Sequence, residues 1–98
     1  GVSCCMIRRA VLTRDAQRNV RKVPRHVAAK LAGWIEDVEE KGLEEVRKVP
    51  GFHDEPLKGA RVGQRSVRLS KGYRAIYRIA AEGTVEFVSV EEVNKHAY

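Results

Sequence analysis

Apolar residues recur along this chain with two periods, and the change from one to the other marks its elements. Ile7 to Leu12 is apolar and β-branched enough for a strand, after which Thr13 offers a side-chain oxygen as a helix N-cap, with Asp15 in the first turn. Ala16, Val20 and Val23 repeat at helical spacing until Pro24, which lacks an amide hydrogen and biases Val23 away from helical angles. A second helix opens at Pro24. Val27, Leu31, Trp34, Ile35 and Val38 form its apolar stripe, while Arg25, Lys30, Glu36, Asp37, Glu39 and Glu40 lie elsewhere. Gly42 is the natural C-cap after Lys41.

Leu43 to Val49 has the pattern of a short helical turn, broken by Pro50-Gly51, and Phe52 to Gly63 reads as a loop. Period 2 then takes over. Strands are expected from about Ser66 to Ser70, Tyr73 to Ile79 and Thr84 to Val93, joined by turns at Lys71-Gly72 and Glu82-Gly83 where glycine supplies positive φ. The order β-α-α-β-β-β predicts an α+β two-layer sandwich with two helices on one face of a four-stranded, mostly antiparallel sheet. Val67, Leu69, Ala75, Tyr77 and Ile79 face the helices in this reading, and Ser66, Arg68, Ser70, Arg74, Ile76 and Arg78 face away. Outward residues on paired strands stand about 5 Å apart, so Arg68, Arg74 and Arg78 repel one another unless an anion offsets them. Arg74 could also pair with Glu86 across strands.

Composition narrows the class. Ninety-eight residues, 43% hydrophobic and 33% charged, suit a single globular domain over 1–98. The formal net charge of +6 favours a polyanionic partner, nucleic acid before a membrane surface. No apolar run approaches the roughly 20 residues of a membrane span, so a cytoplasmic protein is expected. Cys4 and Cys5 are neighbours and cannot staple the fold, and Met6 just after them suggests that 1–5 is an upstream remnant. Cys4, Cys5, His26, His53 and His96 lack the number and spacing of a zinc site, so neither metal nor cofactor is expected.

The chemistry concentrates in the last third. Lys58, Arg61, Arg65, Arg68, Lys71, Arg74 and Arg78 follow one another without an acidic residue between Lys58 and Arg78, with Glu55 ahead of the run and His96 beyond it. These are the parts of a metal-free ribonuclease: a base, an acid and fixed cations. His26 and His53 have weaker claims than His96.

Glu55-Pro56-Leu57-Lys58, Ser66-Val67-Arg68-Leu69, Tyr73-Arg74-Ala75-Ile76-Tyr77 and His96-Ala97-Tyr98 together resemble the RelE/ParE superfamily of bacterial toxins, most closely its RelE, HigB and YoeB branches. The resemblance implies a ribosome-dependent endoribonuclease that cuts mRNA in the A site and is silenced by a cognate DNA-binding antitoxin. It implies Glu55 as general base, His96 as general acid and Arg74 as the holder of the scissile phosphate. Lys58 and Arg68 match basic positions that bind or stabilise that phosphate, and Arg61, Arg65 and Tyr98 join them as candidate RNA contacts. Ala97 separates His96 from Tyr98, where YoeB-type proteins have the two adjacent. A ParE-like gyrase inhibitor that cleaves nothing, or an inactive member that binds only antitoxin or RNA, are the alternative readings.

Overall fold

The computed structural model describes residues 7–83 and 85–95. Strand β1 (Ala10–Leu12) leads into helix α1 (Arg14–Lys22), then α2 (Arg25–Lys41) and the single turn α3 (Leu43–Val46). Strands β2 (Glu55–Pro56), β3 (Gln64–Ser70), β4 (Tyr73–Glu82) and β5 (Val85–Lys95) follow. The sheet has five strands in the order β1-β5-β4-β3-β2, with β1 parallel to β5 and every other pair antiparallel. The architecture is the expected α+β sandwich with one strand more. That strand, β2, lies in the segment expected to be loop, where Glu55 pairs with Ser66 and Pro56 with Arg65. Proline is tolerated there because β2 is the sheet edge.

Local signals act where the sequence places them. Thr13 caps α1, its Oγ1 accepting from the Ala16 amide at 3.2 Å. Gly42, at φ 88°, ends α2 with its amide donating to the Val38 carbonyl. Gly72 and Gly83 take positive φ in the two hairpins. Ile7 stands outside β1, buried in the core, and its carbonyl accepts from the Leu43 amide at 2.8 Å.

The core lies between helices and sheet. Val27, Leu31, Trp34 and Val38 of α2 bury against Val67, Leu69, Ala75, Tyr77, Val88, Val90 and Val93, with Ala16, Leu43, Val46 and Phe52 closing its ends. Each buried aliphatic or aromatic side chain contributes about 1.5–3 kcal/mol. Ile79, expected to face the core, is 41% exposed, because β4 outruns the helices that would cover it.

The β4–β5 register departs from simple alternation. Ile76 pairs with Glu92 and Tyr77 with Val90, so Glu91 is an extra residue in β5. Such a bulge lets two consecutive side chains serve one face. Glu91 and Glu92 both reach the outer face, where Glu91 accepts from Arg78 Nε at 2.9 Å and Glu92 from Arg61 Nη1 at 3.1 Å. The expected repulsion around Arg78 is thereby offset from within the sheet. Arg74 does not pair with Glu86, which lies opposite Ala81 near the far end of the hairpin.

Candidate functional site

Four consecutive residues before β3 build the site by alternating sides. Phe52 is buried in the core, with the Lys30 ammonium 5.0 Å from its ring centroid. Asp54 also points inward, its side chain fully covered. Its Oδ1 accepts from Arg65 Nε at 2.5 Å, and its Oδ2 from the Tyr77 hydroxyl at 2.5 Å. His53 and Glu55 are left to the outer face. There they line a cavity of 210 Å³ together with Arg68, Ser70, Tyr73 and Arg74. A space that small suits one charged group of a larger ligand rather than an engulfed small molecule.

Two arginines dominate this cavity. Arg68 and Arg74 are direct partners across β3 and β4, a like-charge pairing that costs stability. Arg74 Nη1 donates to Ser66 Oγ at 2.9 Å and lies 3.5 Å from Glu55 Oε1. The Glu55 side chain is 56% exposed, so this ion pair holds it only weakly. Arg68 has no ion pair among the described residues. The cavity therefore offers an anion two cations and a carboxylate beside them.

Not every expected contact lies here. Arg65 faces the helices, on the Tyr77 side of β3, as the partner of Asp54. Burial alone would lower its guanidinium pKa, but the Asp54 carboxylate outweighs burial and raises it, so Arg65 is a fixed structural cation. Burial, reinforced by the bond to Asp54, raises the Tyr77 phenol and keeps it a neutral donor. Arg61 lines a second cavity with Val62, Gln64, Arg78, Ile79 and Glu91. Lys58 is exposed just beyond β2 and lines neither cavity. His96 and Tyr98 fall outside the described residues; the last described pairing at that end sets Lys95 opposite Tyr73, a residue of the first cavity.

Sequence reasoning missed Asp54 altogether and gave His53 little weight. No local signal marks either, because Phe52-His53-Asp54-Glu55 holds a single apolar residue and so shows no period. Among the described residues no three His, Cys, Asp or Glu side chains gather as a metal site would require.

A five-stranded mixed sheet with its helices on one face is a fold that this chain shares with solved RelE, YoeB/ParE and YafQ toxins. The sequence matches no protein-family model and no curated protein, so the likeness rests on solved structures. The YoeB/ParE toxin from Agrobacterium tumefaciens is 20% identical, with 91% of this chain and 99% of that one covered at a TM-score of 0.65. The RelBE2 toxin–antitoxin complex from Mycobacterium tuberculosis gives 23% identity, 92% and 99% coverage and a TM-score of 0.65. The archaeal RelE–RelB complex from Pyrococcus horikoshii gives 15% identity, 94% and 98% coverage and 0.67.

Proposed function

We propose that this chain is the toxin of a type II toxin–antitoxin pair and an endoribonuclease that cuts mRNA in the ribosomal A site. One observation carries the reading: Glu55, Arg68 and Arg74 converge on a single outer-face cavity, two opposed cations with a loosely held carboxylate beside them. RNA brings its own nucleophile, the 2′-hydroxyl, so a protein has only to supply a base, an acid and positive charge. Glu55 takes the 2′ proton. Arg74 and Arg68 bear the charge that builds on the phosphorane-like transition state, and a histidine protonates the leaving 5′ oxygen, the role that the family likeness gives to His96. The products are a 2′,3′-cyclic or 3′-phosphate and a 5′-hydroxyl. Lys58 and Arg61 extend the basic surface along the RNA, and the reaction as written calls on no metal.

The mycobacterial and archaeal structures are toxin–antitoxin complexes, which supports a cognate antitoxin as the partner of this chain. Expression without that antitoxin should arrest translation in the cytoplasm. Arg74→Ala should abolish cleavage of mRNA on purified ribosomes, with a loss of about 3–4 kcal/mol of transition-state stabilisation if Arg74 acts like an oxyanion-hole donor. Its circular dichroism melt should stay close to that of the wild type, since Arg74 is an outer-face strand residue. Early gyrase-dependent DNA breaks with intact mRNA would move the chain to the ParE-like reading.

A further inference from the structure

The family likeness leaves the histidine nearest Glu55 without a role. His53 lies two positions before Glu55 and lines the same cavity, while Asp54 between them is locked inward to Arg65 and Tyr77. Two residues of extended chain span at most about 7 Å, close enough for the pair to serve the two ends of one phosphodiester. Facing His53 across the cavity are Arg68 from β3 and Tyr73 and Arg74 from β4. Its side chain makes no hydrogen bond with the described residues, so the ring is uncommitted. The backbone at His53 is left-handed, at φ 46° and ψ 50°. It is the one such non-glycine residue among those described. Histidine takes this conformation more readily than most residues, and here it ends the turn Pro50–Phe52, its amide donating to the Pro50 carbonyl, so that the ring is set at the cavity wall.

We propose that His53 is the general acid of the cleavage assigned above, donating its imidazolium proton to the 5′ oxygen as that oxygen leaves. The proposal rests on the endoribonuclease reading and deepens it. In the step, the 2′ oxygen forms a bond to phosphorus and passes its proton to the Glu55 carboxylate. The bond from phosphorus to the 5′ oxygen breaks, and that oxygen takes the His53 proton. Atoms and charge balance without an oxidant or reductant; Glu55 is left protonated and His53 neutral, and solvent exchange restores both.

The test is single-turnover cleavage of mRNA on programmed ribosomes across pH, with wild type, His53→Asn and His96→Ala. Asparagine tolerates the left-handed conformation, so His53→Asn should keep the fold. We expect it to lose about 10²- to 10⁴-fold in rate and to lose the alkaline limb of the profile, which reports the proton donor. A substrate with sulfur in place of the leaving 5′ oxygen needs little protonation, so His53→Asn should cleave it at close to the wild-type rate. Should His53→Asn keep the alkaline limb while His96→Ala loses it, His53 is not the acid. A loss in His53→Asn that the sulfur substrate does not restore overturns the proposal as well. Wild-type protein that cleaves no RNA overturns the endoribonuclease reading itself.

Discussion

Tyr77 shows how one buried hydroxyl ties the core to the site. Its ring packs 5.1 Å from that of Trp34, and its hydroxyl donates to Asp54, the residue that turns His53 and Glu55 outward. Burial first, and the bond to Asp54 second, raise its folded pKa above the ordinary tyrosine value of about 10. A raised folded pKa gives stability that is complete below the unfolded value and lost as pH climbs beyond it. Urea midpoints should therefore fall above about pH 10. In Tyr77→Phe that alkaline fall should be much shallower, while the neutral-pH midpoint drops because Asp54 loses a buried donor. An alkaline fall of equal steepness in both proteins would remove Tyr77 from this role. The inward face of Tyr77 was legible from period 2. Asp54 was not, because nothing local marks a carboxylate whose partners lie on two later strands.

At the level of elements, what the sequence displayed and what it hid separate cleanly. Both long helices, their caps and the two glycine hairpins were readable because each rests on neighbours along the chain: Thr13, Pro24, Gly42, Gly72 and Gly83. Edge strand β2 and the β5 bulge were not readable, since a two-residue strand has no period and a bulge is defined only by its partner. The convergence of Glu55 with Arg74 could be anticipated from motifs, whereas the counter-charges Glu91 and Glu92 depended on that unseen bulge. The bulge is also stitched to the helical layer. Thr13 Oγ1 donates to the Glu91 carbonyl at 3.2 Å, and Asn19 Oδ1 accepts from the Val93 amide at 3.0 Å. Thr13→Ala should accordingly cost about 1–2 kcal/mol in chemical denaturation, at the upper end for a lost cap. A cost within about 0.5 kcal/mol, the level of an ordinary surface change, would mean that the tether contributes nothing.

For the molecule as a whole, a net charge of +6 overstates the surface left for a polyanion. Arg61, Arg65, Arg74 and Arg78 each meet a carboxylate, whereas Arg68, Lys58 and Lys71 form no ion pair among the described residues. RNA association measured against salt should reflect that difference. Arg68→Ala and Lys58→Ala should each reduce the slope of log K against log salt by about 0.7–1, one phosphate contact apiece, while Arg78→Ala leaves it nearly unchanged. Equal slopes for all three variants would remove the distinction between paired and open cations. The order in which the sheet closes has a separate consequence, for biosynthesis. Thr13 and Glu91 join across 78 residues, and among the described residues β1 pairs with β5 alone. While the chain is being made, β5 is the last described strand to emerge from the ribosomal exit tunnel. Until then β4 lacks one of its two neighbours and α1 lacks the strand it packs against. A nascent chain already carrying Glu55, Arg68 and Arg74 is thus unfinished around them until β5 has joined the sheet.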